Sequence, residues 1–274
     1  MTLLQRLRPW PRAAARTLRV LGHVLHGLWT LRTTFPRLNA VQRHRAVQAW
    51  SVDMLRHMGV ALVVQGERPV CGPLLVVANH LSWLDILVLN AACPSRFVSK
   101  SDVRRWPLLG RLVEGAGTLF IERESRRDAM RVVHHMAESL RAGDVVTVFP
   151  EGTTGDGRAL LPFHANLFQA ALAVAADVQP VALAYRCPHT GAPSDAPVYV
   201  GDTTLVGSIW RTLCAPGLQA HVRYLTPEAG NGRDRRTWAQ DAQQRIAAAL
   251  TPATDPLAPT SVSAVPAAPA DPAV

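Results

Sequence analysis

Short, mostly apolar runs recur between residues 61 and 185, and they limit the folds that this chain can adopt. The runs lack strict alternation of apolar and polar residues, and turns or stretches with helical spacing separate them. Strands buried on both faces, as in parallel sheets covered by helices, have this pattern. The runs predict strands at residues 61–64, 74–77, 97–99, 118–121, 145–149 and 178–185. The sequence therefore predicts an α/β fold with a mixed, largely parallel sheet flanked by helices.

The remaining periodic stretches fit helices on the faces of that sheet. Helices are predicted at residues 106–114, 125–141, 163–176, 205–213 and 235–250. Gly143 follows one of them and is typical of the residue that ends a helix. Beyond residue 186 the pattern is looser, with short strands predicted at 198–200 and 221–225. Together these elements form one predicted domain at residues 59–250.

The first 52 residues have an uneven charge, with nine arginines and no Asp or Glu. Amphipathic helices are predicted at residues 18–29 and 39–57, with Pro36 between them. Basic helices with tryptophan and leucine on one face typically lie in a membrane interface with the apolar side down. We therefore predict that residues 1–58 are an N-terminal amphipathic two-helix membrane-docking segment. The alternative is an ordinary helical hairpin packed on the core.

Composition narrows the class of protein further. The formal net charge is +9 over 274 residues, which fits an anionic partner, although an arginine bias also arises from genome composition. The four cysteines are far apart and form no C-x-x-C pair, which argues against a zinc site or a disulfide framework. No uninterrupted apolar run reaches about 18 residues, so no membrane-spanning helix is expected. Residues 251–274, rich in Pro and Ala, are predicted to be disordered.

The pattern N-H-x4-D at residues 79–85 is the first candidate for chemistry. It directly follows the predicted strand 74–77, and ligand crevices in α/β folds open at the carboxyl ends of such strands. A histidine held by a carboxylate commonly takes a proton from a hydroxyl group. His80 is therefore a candidate base and Asp85 its orienting group. The alternative is a turn histidine followed by a helix-start aspartate.

Further polar residues follow other predicted strands. Arg123 comes after one, and Glu151-Gly152-Thr153 comes after another. Because the carboxyl ends of parallel strands share one edge, these residues can line a single crevice. The set suits the attack of a hydroxyl on a carbonyl while a nearby anion is held, with Asn79, Thr153 or loop N–H groups stabilising the developing oxyanion. No G-x-S-x-G elbow is present, which disfavours a serine acyl-enzyme.

Four motifs follow one another along the chain: N-H-x4-D at residues 79–85, F-I-x-R at 120–123, F-P-E-G-T at 149–153, and Pro180-Val181 in a later strand. In this combination the chain resembles the glycerolipid acyltransferases of the 1-acylglycerol-3-phosphate acyltransferase type. The resemblance implies transfer of a fatty acyl group from acyl-CoA or acyl-ACP, as co-substrate, to the hydroxyl of a lysolipid. It implies no resident cofactor and no metal.

The resemblance assigns roles to individual residues. His80 is implied to be the general base, and Asp85 to orient and polarise it. Arg123 would bind the phosphate or another anionic part of the acceptor, with Lys100 as a further contact. The other substrate contacts implied are Asn79, Glu151, Gly152 and Thr153 at the acceptor site and Pro180 and Val181 along the acyl chain.

One position departs from the family pattern. Family members that act on lysophosphatidic acid often carry arginine directly after F-P-E-G-T, where this chain has Thr154. We expect 1-acyl-sn-glycerol-3-phosphate as the acceptor, which gives phosphatidic acid in phospholipid biosynthesis. Lyso-ornithine lipid is the alternative, because a related branch of the family shares the pattern F-P-E-G-T-T-G.

The expected partners follow from this chemistry. They are the phospholipid bilayer, a lysolipid, and acyl-CoA or acyl carrier protein, with no nucleic acid. A peripheral or monotopic position at the cytoplasmic face of the inner membrane is expected. Two other functions stay open at this point: a non-catalytic lipid- or nucleic-acid-binding protein, suggested by the charge, and a hydrolase that uses the same base on water. The intact motif residues argue against the non-catalytic protein.

Overall fold

The computed structural model describes residues 10–106, 108–121 and 126–251, so the predicted disordered tail lies outside the described residues apart from Thr251. The described strands form one seven-stranded sheet in the order β1–β7–β6–β2–β5–β3–β4. In chain order they are β1 (Val60–Gln65), β2 (Leu74–Ala78), β3 (Arg96–Lys100), β4 (Leu119–Ile121), β5 (Val145–Val148), β6 (Asp177–Arg186) and β7 (Leu218–Tyr224). Neighbouring strands are parallel except for β6 and β7. The predicted mixed, largely parallel sheet is confirmed.

Helices cover both faces of this sheet. They are α1 (Trp10–Thr33), α2 (Ala40–Met58), α3 (Leu84–Ala92), α4 (Leu109–Gly115), α5 (Arg126–Arg141), α6 (Gln169–Leu172), α7 (Leu205–Cys214) and α8 (Arg235–Leu250). One face packs against α2 and α3 in a core that includes Met58 and Leu84. The other face packs against α5 and α8 in a core that includes Met136 and Trp238.

The central strand β2 explains why the sequence lacks polar alternation. All of its residues are buried. Val76 and Ala78 belong to the core with α2 and α3, whereas Leu75 and Val77 belong to the core with α5 and α8. A strand covered on both faces needs apolar residues at every position. Because β2 lies between β5 and β6, the residues that follow it emerge in the middle of the sheet edge.

The N-terminal helices form a hairpin that packs on the α/β body. α2 begins with a capping box, in which Asn39 and Gln42 exchange side-chain-to-backbone hydrogen bonds. Where the helices cross, the His23 ring stacks on Trp50 with centroids 5.0 Å apart, and His23 Nε2 lies 2.9 Å from the Trp50 carbonyl oxygen. A Cβ atom at Gly27 would come within 2.5 Å of Trp50 Nε1. This glycine therefore permits the close approach of α1 and α2.

Two sequence-based assignments are wrong. Residues 163–176 were predicted as one helix but contain a 3-10 turn, Ala165–Phe168, and the short helix α6, before the chain turns at Ala175 with φ of 53° to enter β6. Residues 198–200 were predicted as a strand and form none. The Tyr199 N–H instead donates to the Leu81 carbonyl at 3.1 Å. That segment therefore pairs with the loop after β2 rather than with the sheet.

Candidate active site

The loops that follow β2 and β5 lie side by side and form the centre of the site. The two strands are parallel, with Val77 opposite Val148. His80 therefore leaves the sheet edge beside Phe149 and the rest of F-P-E-G-T. The Gly155 N–H donates to the His80 carbonyl at 2.7 Å, which ties the second loop to the first. Parallel pairing thus brings together two motifs that are about 70 residues apart in the chain.

His80 is held by a fully buried carboxylate. Its Nδ1 lies 2.8 Å from Asp85 Oδ2, and the same oxygen accepts the backbone N–H groups of Leu81 at 2.7 Å and Ser82 at 2.9 Å. These backbone donors fix Asp85 as an acceptor, so the proton between the two side chains sits on Nδ1. Nε2 then has a free lone pair, and the His80 side chain is 19% exposed. This arrangement suits a neutral imidazole that takes a proton from a hydroxyl.

Tyr185 completes the support of Asp85 and was missed by the sequence analysis. Its hydroxyl donates to Asp85 Oδ1 at 2.7 Å. Burial, followed by the nearby Asp85 charge, raises the pKa of Tyr185 well above its ordinary value, so the phenol stays protonated and remains a donor. Tyr185 lies near the end of β6, which runs parallel to β2. Its position near that strand end, at the same sheet edge as His80, is the signal that could have found it.

Phe149 sets the plane of the His80 ring. The two rings stack with centroids 4.0 Å apart and an angle of 10° between their planes. Phe149 is itself buried and lies 6.0 Å from Phe97, centroid to centroid. With the Asp85 hydrogen bond at one edge and Phe149 against one face, the imidazole has little freedom to rotate. The phenylalanine of F-P-E-G-T thus contacts the candidate base directly.

Glu151 holds the backbone of His80, and its predicted contact with the acceptor stays a prediction. It is buried, and its Oε1 accepts the His80 N–H at 2.7 Å while its Oε2 accepts the Leu161 N–H at 2.8 Å. Burial raises the pKa of Glu151, and the two backbone hydrogen bonds oppose that shift. The carboxylate therefore positions His80 from the second loop.

Asn79 also has a backbone partner. Its Nδ2 donates to the Leu183 carbonyl at 2.9 Å, and its Oδ1 accepts the Leu183 N–H at 2.8 Å. This pair of bonds continues the pairing of β2 with β6 beyond the end of β2. Asn79 is buried and clamps the end of the strand, and its predicted contact with the oxyanion stays a prediction.

The other predicted residues separate into two groups. Gly152 and Thr153 line a cavity beside His80. Pro180 and Val181 lie buried inside β6, opposite Val77 and Ala78, and the described lining of that cavity does not include them. Their predicted contact with the acyl chain stays a prediction.

Two predicted anion-binding residues cannot be located. Arg123 lies outside the described residues. Lys100 ends β3, and its side chain also lies outside the described part of the chain. Their role in binding phosphate stays a prediction.

The cavity that opens at His80 has a volume of about 610 Å³. Its walls are largely apolar and come from α1, α2, α3, α4 and α7 as well as from the loops after β2 and β5. Residues such as Val24, Val47, Met54, Leu112 and Ile209 contribute. Among the described lining residues Asp102 is the only Asp or Glu, and none is Lys or Arg. A candidate base in the wall of an apolar cavity suits a substrate with a long hydrocarbon chain.

Thr154 closes one side of the cavity. Its hydroxyl donates to the Tyr199 carbonyl, and both residues line the cavity. Thr154, which departs from the family pattern, therefore uses its side chain for a structural hydrogen bond. It brings no positive charge to the site.

Comparisons with known proteins agree with this geometry. An acyltransferase family model matches residues 61–184, which run from β1 into β6. The chain is similar to a lyso-ornithine lipid O-acyltransferase of Pseudomonas aeruginosa, 39% identical over 87% of this chain and 93% of that one. It is also similar to a 1-acyl-sn-glycerol-3-phosphate acyltransferase of Neisseria gonorrhoeae, 36% identical over 78% of this chain and 84% of that one.

A solved structure shares the fold. The crystal structure of the 1-acyl-sn-glycerophosphate acyltransferase PlsC from Thermotoga maritima superposes with a TM-score of 0.65 over 90% of this chain and 99% of that one. The sequences are 17% identical in this comparison. At that identity the likeness supports the α/β architecture and not the choice of substrate.

Proposed function

The chain belongs to the acyltransferase family, and we propose that it moves a fatty acyl group from a thioester donor, acyl-CoA or acyl-ACP, to the hydroxyl of a lysolipid. One observation carries the proposal. The His80 imidazole is tied through Nδ1 to the buried Asp85, and His80 lines an apolar cavity of about 610 Å³. The proposed base and the cavity proposed to hold the acyl chain are thus parts of one site.

The proposed reaction has two steps. His80 Nε2 takes the proton of the acceptor hydroxyl while the hydroxyl oxygen attacks the thioester carbonyl, and the imidazolium formed is stabilised by Asp85. The tetrahedral intermediate then collapses, the C–S bond breaks, and the departing thiolate receives the proton from His80. The new ester and the free thiol leave with the imidazole neutral again. Tyr185 and Phe149 hold the carboxylate and the ring in place throughout.

The apolar cavity is proposed to take an acyl chain. Each CH₂ group removed from water contributes about 0.8 kcal/mol, so a long chain can supply much of the binding free energy without polar contacts. The cavity lies mainly between the N-terminal helices and α4. The hairpin therefore belongs to the substrate site as well as to the proposed membrane contact.

For the acceptor we propose a lyso-ornithine lipid in place of the 1-acyl-sn-glycerol-3-phosphate that the sequence analysis favoured. A phosphate monoester favours nearby cations, yet Thr154 stands where an arginine is usual, and the described cavity lining has no Lys or Arg. Ornithine carries a carboxylate and an amine, and Asp102 in the lining suits an ammonium group. The similarity to the P. aeruginosa protein, which covers 93% of that chain, supports the same choice.

An acceptor competition tests this proposal. Purified protein would receive acyl-ACP or acyl-CoA with both lysolipids, and products would be quantified by mass spectrometry. We expect kcat/KM to be at least about tenfold higher for lyso-ornithine lipid, a difference of about 1.4 kcal/mol. Faster formation of phosphatidic acid would contradict the proposal and favour 1-acyl-sn-glycerol-3-phosphate as the acceptor.

The variant Thr154→Arg tests whether the missing cation determines which acceptor is preferred. The added guanidinium supplies the missing cation, so the preference should move toward the glycerophosphate acceptor. Thr190→Arg adds the same charge in an exposed loop and serves as the matched control. Equal shifts in both variants would mean that overall charge, and not the site, sets the preference.

We also propose that the hairpin docks on the cytoplasmic face of the inner membrane. α1 has an exposed face of large apolar residues, here called the α1 docking face: Trp10, Leu18, Leu21, Leu25 and Trp29. At about 100° per residue these fall within a sector of about 100°. Within the described ranges, no helix has the length and apolarity that a membrane crossing requires. Leu18→Ser combined with Leu25→Ser should weaken co-sedimentation with anionic vesicles, and unchanged binding would refute the docking.

A further inference from the structure

α7 carries exposed apolar residues that its packing on the body does not explain. Val206 is 76% exposed and Trp210 is 40% exposed, and residues four apart lie on the same side of a helix. The opposite side is anchored through Ser208, whose hydroxyl donates to the Pro197 carbonyl at 3.0 Å and accepts Trp83 Nε1–H at 3.1 Å. Val206 and Trp210 are therefore held outward by a fixed helix.

This outward side joins the α1 docking face. The rings of Trp10 and Trp210 meet edge to face, with centroids 6.1 Å apart and planes at 87°. Arg16 on α1 donates to the carbonyls of Leu213 at 2.9 Å and Ala215 at 2.7 Å, at the C-terminal end of α7. The start of α1 is thus held against the C-terminal half of α7. The Trp10–Trp210 contact joins the exposed apolar residues of the two helices.

The charge around this surface is positive. Arg32 is exposed and falls within the sector of the α1 docking face, and neither α1 nor α7 contains an acidic residue. Further exposed arginines lie on other sides of the two helices: Arg12 and Arg19 on α1 and Arg211 on α7. Arginines close to an anionic leaflet strengthen binding to it. We propose that α7 is a second membrane-contact element, which together with the α1 docking face binds the surface of an anionic bilayer.

The same helix connects this surface with the cavity. Ile209 and Leu213 line the cavity, whereas Val206 and Trp210 face outward and are not part of its described lining. A membrane bound at α7 would therefore lie one helix away from the space proposed for the acyl chain. This consequence rests on the proposed function, but the contact itself does not require turnover.

Vesicle co-sedimentation tests the contact. The full chain and the variant Val206→Ser/Trp210→Ser would be mixed with phosphatidylcholine vesicles with and without phosphatidylglycerol. We expect the variant to partition at least about tenfold more weakly onto the anionic vesicles, because two large apolar side chains no longer enter the interface. The conservative variant Trp210→Phe should keep most of the binding.

A matched control removes exposed apolar residues elsewhere. Val70 is in the loop before β2, Met130 is on α5 on the opposite face of the sheet, and both are strongly exposed. Val70→Ser/Met130→Ser should bind within about twofold of the unmodified protein. Equal losses in both double variants would point to general apolar adhesion and overturn the assignment to α7.

Two further outcomes decide the partner. If Val206→Ser/Trp210→Ser bound vesicles as well as the unmodified protein while Leu18→Ser/Leu25→Ser lost vesicle binding, α1 alone would be the membrane element. That result would overturn the proposal. Sedimentation velocity without lipid checks for a second copy of the chain: a dimer that is lost in the α7 variant would assign the patch to self-association instead. Failure of the unmodified protein to acylate any lysolipid in detergent would count against the proposed function alone, since vesicle binding is measured without turnover.

Discussion

The loops around His80 and the N-terminal hairpin are held in place in different ways. At His80, buried carboxylates and backbone groups meet through hydrogen bonds of between 2.7 and 2.9 Å. Between α1, α2 and the cavity the contacts are mostly apolar, and shape rather than polar geometry defines the space. Proton transfer depends on exact atom positions, whereas binding a hydrocarbon chain requires only apolar area of the right form. Substitutions near His80 should therefore change turnover with little change in binding, and substitutions in the hairpin should do the reverse.

Removing the base is expected to have the largest effect. His80→Ala should lower kcat by about 10²–10⁴-fold while the melting temperature stays close to that of the unmodified protein, since the imidazole is partly exposed. His134→Ala, on the exposed side of α5, is the matched control. If His80→Ala kept more than half of the turnover, the assignment of the base would be wrong.

Asp85→Asn is expected to be nearly as damaging, with a loss of about 10²–10³-fold in kcat. The asparagine oxygen, in the place of Oδ2, would keep the backbone N–H groups of Leu81 and Ser82 and the His80 Nδ1–H, and the amide NH2 would face the Tyr185 hydroxyl. The imidazolium formed in the reaction would then lose the negative charge that stabilises it. Asp53→Asn, at an exposed ion pair on α2, controls for charge. Turnover above about one tenth of normal would show that the Asp85 charge does not matter.

Tyr185→Phe should have a smaller effect, about tenfold on kcat, because one of the two Asp85 oxygens loses its partner while buried. The loss should fall on kcat, with KM changed by less than about twofold, because the phenol contacts Asp85 and acts through His80. Tyr224→Phe, at a buried tyrosine on β7, is the control. An equal loss of kcat in Tyr224→Phe would indicate a packing role for Tyr185 instead.

The strands were predictable because of how they are covered. β2 and β5 lie between two helical layers, so nearly every position is apolar, and the runs mark them directly. The strand order was not predictable. β7 pairs antiparallel with β6 and parallel with β1, and these pairings use backbone hydrogen bonds that any apolar strand can make.

In the site, too, the sequence indicated some of the residues but not the groups to which they hydrogen-bond. His80 and Asp85 were candidates from their spacing, and the structure brings them within 2.8 Å. Tyr185 was missed because it lies 100 residues from Asp85 and looks like the last apolar residue of a strand. Glu151 and Asn79 were expected to contact substrate, yet their polar atoms bind backbone groups. A motif indicates which residue types are needed, but not whether their polar atoms face a substrate or the protein.

The smallest expected effect is on the stability of the hairpin. Burial between α1 and α2 is the main cause that lowers the pKa of His23, and His57, with its ring centroid 5.0 Å away, adds to the shift. The folded protein therefore takes up this proton less readily than the unfolded chain, whose histidine pKa is about 6.5. Stability from the neutral ring is present above that value and is lost as the pH falls through and below it. The melting temperature should thus drop between about pH 7.5 and 5.5.

His23→Gln isolates this contribution. The variant removes the titrating ring, so the melting temperature should depend less on pH across that window even if it is lower at every pH. His44→Gln, at an exposed position on α2, should keep the original dependence. Turnover at saturating substrate should be nearly equal in both variants, because neither residue contacts the His80 loops. An unchanged pH slope in His23→Gln would mean that the hairpin is not held by the neutral His23 ring.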